Sequence, residues 1–135
     1  MTLDEPARDV LRMNDKGGYT LPTHGLYPYQ WNWDSAFAAW GFTTFDADRG
    51  WTELETLLTG QWDDGMLPHI LFHKVDPGYF PGPDVWQGRG PIPSSRISQP
   101  PVAATFMAKM LAMDPNGASR ACWMRRHMVW PAMTP

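Results

Sequence analysis

An all-α fold class is predicted by three observations on this 135-residue chain. Apolar residues recur at helical spacing in several segments, those segments are joined by loops rather than by period-two strands, and "AFAAWGFTTF" at 36–45 is apolar nearly all round. A helix without a polar face must be covered on several sides, which places it inside a larger helical assembly rather than at the edge of a small bundle.

In chain order, residues 3–13 read as a helix, with Thr2 as cap, Glu5 completing a capping box and Pro6 tolerated in the first turn. "DKGGY" ends it. From Tyr19 to Trp33 the chain is a loop rich in Pro, Tyr and Gly, and Asp34 or Ser35 then opens a second helix that runs to about Phe45. Asp48 can cap a third helix, "RGWTELETLLTG", in which Trp51, Leu54, Leu57 and Leu58 share one face, the opposite face is charged and Gly60 is the stop. "QWDDGMLPHILFH" turns at "DDG" and continues as an extended apolar piece from Met66 to Phe72. Residues 76–101 form a long irregular segment, where Tyr79, Phe80 and Trp86 argue against simple disorder. A last helix runs from about Ser98 or Pro101 to Met113, with "DPNG" as its stop.

Length and 43% apolar residues suit one small domain with a modest core. A net charge of −3, with basic residues scattered until the last segment, argues against nucleic acid as a partner. No apolar run approaches the roughly 18 residues of a membrane span, and "MTLDEPARDV" is too acidic and polar for a signal peptide. The single cysteine, Cys122, and the lack of an Asn-x-Ser/Thr sequon fit a soluble, cytoplasmic protein in a reducing compartment. Eight tryptophans stand beside fourteen prolines and twelve glycines, which implies aromatic-rich loops. Extra tryptophan is most often core mass, but tryptophan beside Tyr, Pro and a carboxylate suits a binding surface.

That combination occurs in "YPYQWNWDSAFAAWGF" at 27–42, where Asp34 follows Trp31 and Trp33 and precedes the apolar run. Two readings stand side by side. Asp34 and Ser35 are good helix caps, because their side-chain oxygens can accept from unpartnered N–H groups of the first turn. Alternatively, the helix start presents Asp34 into a cleft walled by indole rings, where a carboxylate accepting from neighbouring hydroxyls suits a sugar. Other acidic residues fare worse: Asp63 and Asp64 sit in a turn, and Asp84 lies in the Pro-rich loop. His69 and His73 have i,i+4 spacing, but Ile70 stands where a zinc helix has its glutamate, so no metal and no cofactor are expected. Arg96 could clamp a substrate carboxylate, with a plain surface arginine the commoner role.

At "YQWNWDSAFAAWG", "LETLLTGQWDDGMLPHILF" and "SSRISQPPVAA", in that order over roughly residues 17–113, the chain resembles the N-terminal part of the catalytic domain of family 63 glycoside hydrolases, in the mannosylglycerate and glucosylglycerate hydrolase branch. Trehalases of the same clan carry a similar aromatic-Trp-Asp-Ser element, which leaves a trehalase-like family as the alternative. The resemblance implies an (α/α)6 barrel, two rings of six helices, that hydrolyses an α-linked sugar with inversion. It assigns Tyr27, Trp31, Trp33 and Asp34 to the pocket of the terminal sugar, with Asp34 on the ring hydroxyls. It also brings Gln61, Trp62 and Gln99 toward the pocket and folds the 73–98 loop over its mouth. Inverting hydrolysis needs two carboxyl groups about 6.5 to 9.5 Å apart. The family's acid and base lie downstream, and no residue of this chain matches either, so no catalytic residue is assigned.

After "AMDPNGASRA" the resemblance stops at "CWMRRHMVWPAMTP", which holds no acid, two arginines, three methionines and two tryptophans. Residues 1–113 are therefore read as the first part of an incomplete barrel and 114–135 as an atypical tail with no continuation toward a further helix, as in a truncated or frameshifted gene product. A basic amphipathic tail with membrane affinity is the alternative, weakened by Pro131, Pro135 and the short length. Four helices of twelve are expected to leave Phe37, Trp40, Phe42 and Met107 without partners other than the missing remainder of the barrel. The competing functional classes are a non-catalytic carbohydrate-binding module that uses the same aromatic platform, and a helical interaction scaffold in which Asp34 is only a cap.

Overall fold

The computed structural model describes residues 3–127. Six helices dominate: α1 (Asp4–Asn14), α2 (Asn32–Thr43), α3 (Ala47–Leu58), the short α4 (Pro83–Trp86), α5 (Ala103–Met113) and α6 (Ala118–His127). Two strands of two residues each, β1 (Gln30–Trp31) and β2 (Ile70–Leu71), pair antiparallel with Gln30 opposite Leu71 and Trp31 opposite Ile70. The expected alternation of helix and loop is thus interrupted by one strand pair. β2 lies in the piece read as extended.

α2 packs chiefly on α3 and α5. Its approach to α3 is close because Ala39 faces Gly50: a Cβ on Gly50 would stand 2.7 Å from the Ala39 carbonyl oxygen. The apolar face read in α3 is buried as a whole, with Trp51, Leu54, Leu57 and Leu58 joining Ala36, Ala39, Phe106, Met107 and Met110 in the core. The charged opposite face is a different matter, since Glu53 on α3 is wholly buried. Phe42 and Met107, expected to lack partners, are also buried, the first under the Arg49 guanidinium 4.7 Å from its ring centroid. Phe37 stays 48% exposed.

Several boundaries move for identifiable reasons. α3 is capped by Asp46, whose carboxylate accepts from the Arg49 N–H at 3.0 Å, and not by Asp48, which lies inside the first turn. The proposed cap Thr2 lies outside the described residues, and Glu5 instead accepts from Arg8. Gly60 follows the end of α3 without a left-handed backbone; a side chain there would overlap Leu71. Gly65 does adopt the left-handed region, at φ 88°, and closes the "DDG" turn.

"DPNG" stops α5 at Met113 as read, but it does not end the helical structure. Asp114 caps a single 3-10 turn, Pro115–Gly117, that feeds directly into α6, so a helix continues where the sequence offered none. Ala121 and Met124 of α6 are buried in the same core, and the Trp51 indole N–H donates to Asp114 Oδ2 at 2.8 Å. Residues 128–135 lie outside the described part. Among the described residues no helix is long and apolar enough to cross a membrane.

The turn before α6 rests on the Trp51 ring so tightly that a Cβ on Gly117 would overlap it. Gly117→Ala is therefore expected to cost about 1–3 kcal/mol by overpacking, read as a lower urea midpoint. An unchanged midpoint would mean that the turn lifts from the indole without penalty.

Candidate functional site

Three sequence-distant segments lie side by side ahead of α2, tied by backbone bonds. The Asn32 N–H donates to the His69 carbonyl at 3.0 Å, the His69 N–H to Ile97 at 2.7 Å, and the Ser95 N–H to Ile70 at 3.1 Å. They are the three stretches that carried the resemblance.

Pairing with β2 holds Gln30 and Trp31 extended, so α2 starts at Asn32, with Trp31 at a cap position that makes no side-chain cap bond. Asp34 and Ser35, expected as caps, are thereby inside the first turn and free for other partners. The Gln99 side chain lies close enough to Asp34 to favour its ionised carboxyl, as does the Asp34 N–H. Gln99 Oε1 accepts the Trp33 N–H at 2.9 Å across 66 residues of sequence. One amide thus stands against both Trp33 and Asp34. Burial pushes the Asp34 carboxyl above its ordinary range, only partly offset by its own N–H and Gln99.

The aromatic residues group beside it. Tyr27 and Trp31 meet edge to face at 5.2 Å between centroids, and Tyr79 closes on Trp31 at 5.7 Å. Trp31 is 8% exposed, whereas Trp33 at 42% and Tyr27 at 40% present open ring surface. Trp33 leans on Phe37 at 5.7 Å. The structure therefore joins Trp33 to Gln99 by a hydrogen bond, with Asp34 next to them, and Tyr27 to Trp31 by ring contact. Gln61 and Trp62 are engaged elsewhere: the Gln61 amide donates to the Gly65 carbonyl at 2.8 Å, and the buried Trp62 indole donates to Ser94 Oγ at 3.0 Å.

Several residues that sequence reasoning did not assign to the site take part. His69, rejected as a zinc ligand, contacts Ser95 Oγ through Nδ1 at 2.6 Å and meets the Trp86 ring edge-on at 5.1 Å. His73 bonds to Gln30 Oε1 at 2.7 Å and stacks on Tyr19. Burial lowers the pKa of both histidines. On an extended segment four residues span about 13 Å, so the spacing that suggested a shared metal separates the two rings instead. Arg96 is exposed.

Behind the site lies a buried charge cluster. Glu53, 0% exposed, accepts from Thr20, Gln30, Ser35 and Arg49, and Arg49 also binds Asp15 at 2.8 Å. Burial tends to raise the Asp15 pKa, but the Arg49 hydrogen bond and charge and the Gly17 N–H outweigh it, and the carboxyl titrates below its usual range. For Arg49, burial is likewise overcome by the two carboxylates, which hold the guanidinium charged.

Comparison with known proteins shows the family to which the chain belongs. The mannosylglycerate hydrolase MGH1-like glycoside hydrolase domain matches residues 27–134, four-fifths of the chain. The chain belongs to that family. The mannosylglycerate hydrolase MGH2 of Selaginella moellendorffii is 51% identical over 108 residues, covering 79% of this chain and 22% of its own length. The mannosylglycerate hydrolase of Thermus thermophilus is 52% identical over 113 residues, covering 82% and 27%. A crystal structure of the GH63 mannosylglycerate hydrolase from another strain of Thermus thermophilus, in complex with Tris and D-glycerate, superposes with a TM-score of 0.86 at 49% identity, over 94% of this chain and 31% of that one. The chain thus spans about a quarter of the length of these curated relatives. They lend no support to the trehalase-like alternative. The family match extends through residue 134 and so includes α6.

The titration shifts fix a pH response. His69 and His73 bind protons more weakly folded than unfolded, so their contribution is complete above the unfolded value of about 6.5 and is lost as pH falls toward the folded values. Asp15, lowered in the fold, adds a further loss below its ordinary value of 3.8. Asp34, raised, works in the opposite sense, since its burial cost is relieved as it protonates. The melting temperature is expected to be level above about pH 7 and to fall from about 6.5 downward, with a shallower fall in His73→Gln. A flat profile down to pH 5 would contradict the burial of the two imidazoles.

Proposed function

We propose that this chain forms part of the sugar-binding side of a glycoside hydrolase built on an (α/α)6 barrel, one that hydrolyses an α-linked mannosyl- or glucosylglycerate with inversion. The observation that carries the reading is Asp34. A carboxylate has about four acceptor sites, and among the described residues Asp34 meets its own N–H and Gln99. Its remaining acceptor capacity is not filled among the described residues, and the neighbouring Trp33 presents open ring surface. Two adjacent ring hydroxyls of a hexose match such a carboxylate, and the C–H face of the same hexose matches an indole.

In this reading Tyr27, Trp31 and Trp33 wall the terminal sugar, Asp34 accepts from its hydroxyls and Gln99 orients Asp34. Gln61 and Trp62 frame the pocket through the 61–66 turn and Ser94 rather than by direct contact. The role of these residues is to bind and orient. Inverting hydrolysis draws on a carboxylic acid at the leaving oxygen and a carboxylate that activates water on the opposite face. In this reading neither group is assigned to a residue of this chain. The glycerate-linked substrate comes from the named activity of the relatives, mannosylglycerate hydrolases, together with the D-glycerate bound in the Thermus thermophilus crystal structure.

Asp34 gives a test with two readouts. Because its ionised form is disfavoured by burial, Asp34→Asn is expected to leave the melting temperature unchanged or raise it, while glucose affinity by calorimetry falls about 10-fold or more with the loss of a charged acceptor. Equal affinity in wild type and Asp34→Asn would reduce Asp34 to a structural residue of the first helical turn. A sugar-release assay on the purified chain with mannosylglycerate and glucosylglycerate is expected to show no turnover. Turnover that disappears in Asp34→Ala would instead place a catalytic carboxylate within these 135 residues.

A further inference from the structure

Glu53 belongs to none of the groups assigned to the sugar, yet its carboxylate touches both ends of the segment that carries them. Oε1 accepts from Gln30 Nε2 at 3.1 Å and from Ser35 Oγ at 2.6 Å. Gln30 immediately precedes Trp31, and Ser35 immediately follows Asp34. The four residues between these two anchors include three of the proposed sugar contacts, Trp31, Trp33 and Asp34. Neither anchor has room to drift. Gln30 also donates to the Glu53 carbonyl at 3.3 Å and accepts from His73, and both Gln30 and Ser35 are wholly buried.

The carboxylate is itself held from behind. Oε1 takes the Thr20 N–H at 3.1 Å, and Oε2 takes Thr20 Oγ1 at 2.7 Å and Arg49 Nη2 at 2.8 Å. Both oxygens are thus engaged by donors from the 20s loop, β1, α2 and α3. Burying an ion pair is on balance a weak source of stability, because desolvation offsets most of the attraction. What such a cluster supplies is geometry, since each donor reaches its oxygen in only one arrangement of the segments.

The geometry points to Glu53 as the positioning residue of the sugar pocket, fixing the Trp31–Asp34 wall from both sides through Gln30 and Ser35. This rests on the sugar-binding reading of that wall. Glu53 does not touch the sugar; it sets where Trp33 and Asp34 stand when the sugar arrives. Its removal therefore changes affinity in the folded protein, beyond any effect on folding.

Two variants and two measurements test the role. Ser35→Ala deletes one hydroxyl and leaves Glu53 its other partners, so the variant keeps a cooperative melt. Glu53→Gln puts an amide donor against donors and disturbs both anchors. Amide hydrogen exchange is followed at Asn32 and Trp33, with α5 as internal reference, and glucose binding is titrated by tryptophan fluorescence well below the melting temperature of each variant. In Ser35→Ala, Asn32 and Trp33 are expected to exchange about 5-fold faster relative to α5 and the glucose Kd to rise about 5- to 10-fold, the worth of one typical intramolecular hydrogen bond. In Glu53→Gln the expected rise in Kd is about 10- to 100-fold. A purely structural role would lower the melting temperature and leave the Kd of the folded protein unchanged. If Asp34→Ala abolishes glucose binding while Ser35→Ala and Glu53→Gln retain wild-type Kd and exchange, the sugar reading stands and the positioning role is overturned. If wild type binds no glucose, the sugar reading falls and takes the positioning role with it, whatever the exchange rates show.

Discussion

The interaction on which the rest of the structure depends is the burial of the Glu53 carboxylate. A carboxylate removed from water has to be matched donor for donor, and here the donors come from four separate stretches: Thr20, Gln30, Ser35 and Arg49. Meeting that demand draws the 20s loop, β1 and the first turn of α2 onto α3. Arg49 extends the cluster to Asp15 and so ties the end of α1 to it as well. Helix packing alone, with Ala39 on Gly50, would allow sliding along the interface; the polar cluster admits one register.

The strand pair translates that register into a site. Because β1 is pinned to β2, α2 begins two residues before its most obvious cap, and Asp34 and Ser35 point to opposite duties. Ser35 turns inward to Glu53, while Asp34 meets Gln99 beside the exposed face of Trp33. Adjacent residues on a helix differ by about 100° in direction, so one can serve the core and the next the surface. The backbone bonds from Asn32 to His69 and from His69 to Ile97 bring the third segment alongside.

Glu53 and Asp34 also show two ways of keeping a carboxylate in a partly dry place. Glu53 has its acceptor capacity filled from within the protein, and its function is to hold. Asp34 is burdened by desolvation that its own N–H and the Gln99 side chain offset only in part, which raises its carboxyl above the ordinary range. A second apolar cluster, Tyr29, Trp31, Ile70 and Phe72 with Tyr79 and Trp86 packed against it, gathers around the strand pair that precedes α2.

Much was legible in the residues themselves. The apolar stripe of α3, the "DDG" turn, the extended piece before Phe72 and the grouping of tryptophan with Asp34 are encoded within windows of a few residues, where periodicity and turn chemistry act. What depended on tertiary structure was every partnership across long sequence separation. Arg49 and Glu53 at i,i+4 look like an exposed helical ion pair, and only the arrival of Thr20, Gln30 and Ser35 makes them a buried cluster. Gln99 and Asp34 lie 65 positions apart, and two-residue strands carry no period to read. The helix through Ala118–His127 is held by buried Ala121 and Met124 on a core its own polar sequence does not announce. Local sequence determined which segments are helical and where tryptophan stands beside an acid, because those properties follow from neighbouring side chains. The start of α2, the cluster around Glu53 and the pairing of Asp34 with Gln99 were decided by the fold, because a buried charge and a two-residue ladder are satisfied only by groups that the chain brings back from far away.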